Sequence, residues 1–355
     1  MPKNIRLSGA IREKDSQELR EIRAKLLYHL FSEGYNIYNG NGDQDVTLWN
    51  IQKKIIEADG FVFLPGAHLD DIVKASSIFV GYQTGDKDLD GKPSVLLNQK
   101  GSWDMWLNLI DHLHDLGTVS QKREQIINIV KKTEDVVSAL RKQQVTIEKK
   151  QTKYAKKPPK KSIKGDESRK KPNYSICVFC SASTTDDKLI QMGYDLGRDI
   201  AKAGWGCISG AGRTGIMGSV VRGAYEGGGW TGGSNIPHII QLEGLPDGMN
   251  AFWPTGDIYQ RMQIMIEKSD AFVILPGGMG SVQEALVLLD LKRKRDPLMK
   301  SKKIVVVNPS AVNKNGKKVR FWDPLIKLAE RHRVTQHLTI TNTIENVTQL
   351  LRPGR

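Results

Sequence analysis

Cysteine is scarce, with 3 residues in a chain of 355, which excludes a disulfide scaffold. Long hydrophobic runs are missing as well. The apolar runs are strand-sized, whereas a bilayer-spanning helix needs about 20 apolar residues in succession. The opening MPKNIRLSGAIREKDSQE turns charged where a signal peptide needs its apolar stretch. These absences lead us to expect a soluble protein of a reducing, cytoplasmic compartment without contact to membrane. What is present is a globular balance, 39% hydrophobic and 26% charged residues with 34 Gly and 14 Pro. The length exceeds one compact module and suits two domains with a connector.

The net charge of +14 suggests a polyanionic partner until its location is read. Residues 141–171 hold 13 Lys or Arg against the acids Glu148, Asp166 and Glu167, a balance of +10. The remainder of the chain therefore carries only +4 (14 less 10). Basicity concentrated in one segment says little about what the folded parts bind.

From Met1 to about Gly117, apolar runs alternate with amphipathic stretches. IRL (5–7), YNIY (35–38), GFVFLPG (60–66), SIFVGY (77–82) and SVLLN (94–98) read as strands. SQELREIRAKLLYHLFSEG (16–34) has helical spacing and stops at Gly34. Between Val119 and Thr152, Ile126, Ile129, Val130, Val136, Val137 and Leu140 form a stripe that predicts one long helix, a candidate for self-association. AKKPPKKSIKGDESRKKPNYS (155–175) has the composition of a flexible linker. A second series follows. YSICVFC (174–180), GWGCISG (204–210), HIIQL (238–242), DAFVILPGG (270–278) and KKIVVVN (302–308) are its strand candidates. Residues 186–204 and the segment after Gly280 are its helix candidates.

The two series read as one unit written twice. IIEADGFVFLPGAHLDD (55–71) matches MIEKSDAFVILPGGMGSV (265–282), with Asp59 against Asp270 and Pro65 against Pro276, both 211 apart. GKPSVLLN (91–98) matches SKKIVVVN (301–308) at 210, and SWDMWLNLIDHL (102–113) echoes FWDPLIKLAERH (321–332).

The sharpest chemistry lies in AFVILPGGMGSVQEAL (271–286), a strand, a Gly-rich turn and a helix. Gly277, Gly278, Met279, Gly280 and Ser281 bring backbone N–H groups together at the positive end of a helix dipole, an assembly that binds phosphate. Ser281 can donate its hydroxyl, and Glu284 follows on the same helix face, within reach of a sugar or base attached to that phosphate. Ser281 with Glu284 also fits the capping box S-x-x-E, which would make both structural. A second cluster, ISGAGRTGIMGSVVRGAYEGG (208–228), places Gly210, Gly212, Thr214 and Gly215 between a strand and a helix. It loosely fits a dinucleotide fingerprint, but the acidic residue expected after the next strand is missing, so a nicotinamide site is disfavoured.

These motifs resemble the LOG family of nucleoside 5′-monophosphate phosphoribohydrolases, often labelled lysine decarboxylases. The family's PGGxGTxxE corresponds to Pro276–Glu284, its GGGxxGLMG to SGAGRTGIMG (209–218), and its VFCGSS to VFCSAS (178–183). Its arginine motif corresponds to IYQRMQIMIEKSDAF (258–272), which places the catalytic arginine at Arg261. The resemblance covers about residues 174–332. It departs at Ser281 for Thr, Ala211 for Gly, Met262 for Lys and Ala285 for a second Glu.

The resemblance implies hydrolysis of an N-glycosidic bond, with Arg261 and Glu284 as catalytic pair and a purine nucleoside monophosphate favoured as substrate. No cofactor and no metal ion is expected, and a homodimer or larger assembly is. The implied fold class is α/β, with two Rossmann-like parallel-sheet domains joined by the long helix and the basic linker. The expected boundaries are a degenerate domain over 1–118, helix and linker over 119–172, and a catalytic domain over 173–355.

The first copy lacks these groups. Extending the 211 offset puts Asn50 opposite Arg261 and Val73 opposite Glu284, while Asp70 and Asp71 sit where a phosphate would go. The counterpart of RTGIMG is largely absent, since eight residues separate Gly42 from Ile51. This copy is expected to be catalytically dead. Cys177 and Cys180, in one strand on opposite faces, read as core. Trp103, Trp106 and Trp322 follow the repeat and read as packing, while one of Trp205, Trp230 and Trp253 is a candidate to stack on a base. Two alternatives remain open. One is a nucleotide-sensing protein without turnover. The other is electrostatic association of nucleic acid with 141–171, where Tyr154 is the single aromatic side chain.

Overall fold

A computed structural model describes residues 3–9, 16–39, 51–142 and 165–353. The chain divides into two compact units, residues 1–114 with 119–149 and residues 115–118 with 150–355. In unit 1, short apolar runs form β1 (Asn4–Ser8), β2 (Asn36–Asn39), β3 (Gly60–Phe63), β4 (Ser94–Leu97) and β5 (Asn128–Val130). They pair in parallel in the order β2-β1-β3-β4-β5. The connecting helices are α1 (Gln17–Ser32), α2 (Ile51–Glu57), α3 (Leu69–Thr84), α4 (Asp104–Asp115) and α5 (Asp135–Leu140). Ser16 caps α1 by accepting from the Leu19 amide, and Leu26 and Leu30 carry its apolar stripe onto Ile5 and Leu7 of β1.

Unit 2 has β6 (Ser175–Phe179), α6 (Asp187–Lys202), β7 (Gly206–Ser209), α7 (Gly215–Glu226), β8 (Thr231–Asn235), α8 (Pro237–Glu243), β9 (Ala251–Pro254) and α9 (Ile258–Glu267). It continues through β10 (Ala271–Ile274), α10 (Met279–Arg293), β11 (Lys303–Val307), a hairpin of β12 (Ser310–Val312) and β13 (Lys318–Arg320), α11 (Asp323–Arg331), β14 (Thr339–Thr341) and α12 (Val347–Leu351). Its seven-stranded sheet runs β14-β11-β10-β6-β7-β8-β9, with every pair parallel. Helices on both faces of a parallel sheet follow from the crossovers that parallel strands require.

Without β8 and β9, the strand order of unit 2 is that of unit 1. The pairing registers agree: Ile5 opposes Gly60 as Ile176 opposes Ala271, and Val95 opposes Asn128 as Val305 opposes Thr339. Side-chain knots repeat too. Asp59 accepts from the Asn4 amide at 2.9 Å and Asp270 from the Ser175 amide at 2.8 Å. Asn98 accepts from the Trp103 amide and donates to Asp104; Asn308 accepts from the Trp322 amide and donates to Asp323. Trp103, Trp106 and Trp322 are all buried as packing residues.

Four expectations are corrected. Residues 119–140 form no long helix. They fold into β5 and α5, because Asn128–Val130 finds a partner in β4 and tertiary pairing overrides the local helical pattern. Residues 143–164, the rest of that helix and most of the linker, lie outside the described residues. The linker's far end is not loose: Gly165 donates to Met249, and Arg169 donates to the carbonyls of Tyr225 and Gly229. SIFVGY is helix within α3, which is buried on nearly all sides and so shows no alternating exposure. HIIQL lies within α8, started by Pro237 at its first turn.

Candidate active site

Three loops meet at the carboxyl ends of the neighbouring strands β7, β6 and β10, where open parallel sheets bind ligands. The loop after β6 braces the other two. Ser181 donates its amide to Pro276 and accepts from the Met217 amide, both at 3.1 Å. The Thr214 hydroxyl donates to the Ala182 carbonyl at 2.5 Å. Ser181 lies two residues beyond the end of β6 and joins the two glycine turns, a role that VFCSAS as a motif does not assign to it.

Gly277 and Gly278 lead into α10, with Gly278 as its N-cap residue. Met279, Gly280 and Ser281 supply the first-turn amides, which have no intrahelical acceptor. No neighbour lies within 4 Å of where a Gly280 Cβ would stand, so the space above this turn is open. A Cβ on Gly277 would come within 2.1 Å of the Ser281 hydroxyl oxygen, so the serine folds over the turn. Since Gly278 is the N-cap, Ser281 is the third helical residue and Glu284 lies in the second turn. The capping box does not form.

In the other turn, Gly215 opens α7 with a φ of +62°. Ala211, at a position where LOG enzymes carry Gly, holds a φ of +54°, a left-handed conformation that a Cβ disfavours. The amides of Ala211 and Gly212 are already engaged, by the Ser209 hydroxyl and the Met217 sulfur. Thr214 precedes α7 without capping it. Arg213 pairs with Asp247 at 3.0 Å beside the turn, a contact the sequence did not suggest.

Arg261 projects from the first turn of α9, which Asp257 caps by accepting from the Tyr259 and Gln260 amides. Its Nε donates to Ser234 O at 2.9 Å and its Nη2 to Gly210 O at 3.0 Å. The arginine thus ties the ends of β7 and β8 together. A Cβ on Gly210 would lie 1.8 Å from Nη2, so glycine is required there by close approach. Glu284 is buried, and among the described residues no hydrogen bond joins it to Arg261. Burial pushes its carboxyl up to about 7 against the weaker downward pull of the Arg261 guanidinium. Glu284, on the helix that the Gly277–Gly278 turn begins, thus lies within electrostatic reach of Arg261, which bonds Gly210 of the other turn.

Met262 and Ala285, the departures next to this pair, are buried. Trp205 and Trp230 precede β7 and β8, at the opposite edge of the sheet from the turns. Trp205 packs on Tyr174, and Trp230 on Trp253. Cys177, Cys180 and Cys207 are free and buried, and burial raises their thiols.

Unit 1 differs here. Ile72 N donates to His68 O as Val282 N does to Gly278 O, so helix α3 matches α10 at an offset of 210. The loop before α3 is one residue longer. Lys74, not Val73, therefore stands opposite Glu284, and Asp71 stands opposite Ser281. Burial and the adjacent Asp70 push the Asp71 carboxyl up to about 6, with Lys74, His68 and the Ser8 hydroxyl pulling it down. A carboxylate at this helix start repels phosphate. Asn50, opposite Arg261, lies outside the described residues.

A parallel α/β sheet with helix-start glycine turns at its carboxyl edge defines a Rossmann-like fold. The family described as "Possible lysine decarboxylase" matches residues 217–352. A cytokinin riboside 5′-monophosphate phosphoribohydrolase of Mycobacterium tuberculosis is 36% identical over 113 residues, 32% of this chain and 60% of that protein. The one of Mycobacterium marinum is 29% identical over 51% of this chain and 95% of that protein. By family model and relatives, the C-terminal half resembles the LOG family. The chain spans less than two thirds of the length of the M. tuberculosis relative. Among solved structures, a molybdenum cofactor binding protein from Rippkaea orientalis is 23% identical, covering 52% of this chain and 96% of that one at a TM-score of 0.37. The Moco carrier protein from Chlamydomonas reinhardtii is 20% identical, covering 51% and 95% at 0.39. No helix among the described residues is long and apolar enough to cross a membrane.

Proposed function

We propose that unit 2 hydrolyses the N-glycosidic bond of a nucleoside 5′-monophosphate, giving free base and ribose 5-phosphate. The carrying observation is the placement of Arg261 and buried Glu284 beside the two glycine turns. The phosphate sits on the first-turn amides of Met279, Gly280 and Ser281 and on the turn of Thr214 and Gly215, where helix dipoles favour an anion. That fixes the ribose C1′ near Glu284. As the C1′–N bond breaks, its electron pair leaves with the base and C1′ becomes oxocarbenium-like. The Glu284 carboxylate stabilises that cation and takes a proton from the water that adds to C1′, while the departing base nitrogen takes a proton from solvent and Glu284 returns its own to solvent. With its carboxyl near 7, Glu284 exchanges protons readily at neutral pH.

Arg261 spends Nε and Nη2 on carbonyls, which leaves Nη1 for the ligand and makes the arginine a brace for the turn as well. The purine preference and a dimeric or larger assembly belong to the same proposal. A panel of nucleoside monophosphates, followed by chromatography for free base, tests it. We expect cleavage of at least one, lost in Glu284→Ala. If nothing is cleaved but a monophosphate raises the melting temperature, the site binds without turnover and the hydrolytic reading is wrong.

Among the described residues, the proposed site takes no side chain from the basic segment 141–171. Among its described members, Arg141 pairs with Glu33 at 2.5 Å and Arg169 stacks on Tyr225.

A further inference from the structure

Helix α1 of unit 1 and helix α6 of unit 2 are one element written twice, and their ends fix the correspondence. Gly34 N donates to Phe31 O and Tyr35 N to Leu30 O, as Gly204 N does to Ala201 O and Trp205 N to Ile200 O, an offset of 170. The buried Leu26 and Leu30 thus stand for the buried Leu196 and Ile200.

The two helices differ on the neighbouring face. In unit 2 that face is covered by α7. A Cβ on Gly193 would lie 2.7 Å from the Ile216 side chain, and one on Gly197 would lie 2.1 Å from Val220 O. Tyr194 donates its hydroxyl to Glu226 at 2.6 Å, and a Cβ on Gly227 would lie 3.1 Å from that of Ala201. In unit 1, only residues 40–50 lie between β2 and α2, against residues 210–257 between β7 and α9. The corresponding face of α1 carries Ala24, Leu27, Tyr28 and Phe31, spaced i, i+3, i+4 and i+7. Tyr28 is 78% and Phe31 60% exposed. Single exposed apolar side chains are ordinary; a helical stripe of them, on the face that the other copy buries, marks a contact surface.

No helix can sit on α1 as α7 sits on α6. Leu27 stands at the position of Gly197, and Arg23 at that of Gly193, where unit 2 needs bare backbone. Whatever covers α1 must interleave side chains with it, at the ordinary helix separation of about 8–10 Å.

We propose that this face pairs with the same face of a second copy of the chain, the two α1 helices crossing antiparallel about a two-fold axis between Leu27 and Tyr28. The stripe complements itself in that arrangement. Ala24 and Phe31 lie equally far from the axis, so a small side chain of each copy meets a large one of the other, and Leu27 meets Tyr28. Arg20, one turn before Ala24 on the same face, is brought to the carboxyl end of the second α1, where the helix dipole favours a cation. The degenerate copy, stripped of α7, becomes the assembly surface. This pairing does not rest on hydrolysis in unit 2, and its failure would leave that reading untouched.

Sedimentation equilibrium of the full chain, from about 1 to 100 μM, tests it. We expect reversible association through a dimer in that range. Phe31→Glu, at a position exposed in the single chain, should fold as before by circular dichroism and raise the dissociation constant at least about a hundredfold, because pairing would bury an unpartnered charge in each copy. Tyr28→Cys gives a second reading. Its two thiols face each other across the axis, so mild oxidation should yield a covalent dimer, and adding Phe31→Glu should suppress it; the native cysteines are buried and do not compete. The proposal is overturned by a chain that stays monomeric throughout the range, by undiminished association of Phe31→Glu, or by a Tyr28→Cys chain that does not crosslink.

Discussion

Glu284 carries a thermodynamic burden that its proposed chemistry explains. Its folded carboxyl titrates near 7, above its ordinary 4.5, because burial disfavours the charge. A raised carboxyl is neutral at no penalty below the unfolded value, and stability is lost as pH rises from about 4.5 through 7. Above pH 7 the loss is about 3 kcal/mol at 1.36 kcal/mol per unit. Glu284→Gln should therefore stabilise the protein at pH 8 by up to that amount and change little at pH 4.5. Denaturant melts at the two pH values check it. The same variant should lower turnover at least about a hundredfold, the usual worth of a positioned acid or base. Activity that needs the carboxylate should fall as pH drops below 7, which a pH profile of kcat/KM reads. Ala211 is a second strained residue. Ala211→Gly relieves a left-handed Cβ and should stabilise by about 0.5–1 kcal/mol, less than the full strain because glycine also frees the unfolded chain.

At the scale of elements, the parallel strands were legible as short unbroken apolar runs, as at β6 and β11, most plainly where the run ended in an LPG turn, as at β3 and β10. The repeat was legible because the Asp59/Asp270 and Asn98/Asn308 knots require fixed residue types. Strands such as Thr231–Asn235 escaped notice, since TGGSN has no apolar pattern and forms a strand only between β7 and β9. The glycine turns, Arg261 and Glu284 were readable as residue types at set spacings. The capping geometry of α10 was not, because whether Gly278 or Ser281 caps depends on where the helix begins. Nor was the offset of α3, which turns on one loop residue. Helix pair α6–α7 offers a test of packing. A Cβ on Gly197 would lie 2.1 Å from Val220 O, so Gly197→Ala should force the helices apart and destabilise by about 1–3 kcal/mol, read from the denaturation midpoint.

Across the whole molecule, one architecture is used twice with different side chains at the ligand edge. Unit 2 has its own buried core, including Ile176, Val178, Val220, Val273 and Val305. A fragment of residues 165–355 should therefore unfold cooperatively on its own and keep the proposed hydrolytic activity, measurable by calorimetry and product release. The net charge of +14 belongs chiefly to the segment joining the repeats, not to the site.

The most direct test compares a nucleoside 5′-monophosphate with the same nucleoside lacking its phosphate, in the full chain and in Glu284→Gln. Ribose 5-phosphate and free base should form from the monophosphate, the dephosphorylated nucleoside should be cleaved orders of magnitude more slowly, and the variant should cleave neither. Equal cleavage of both compounds, or undiminished cleavage by the variant, would contradict a phosphate-anchored site in which Glu284 acts on the sugar carbon.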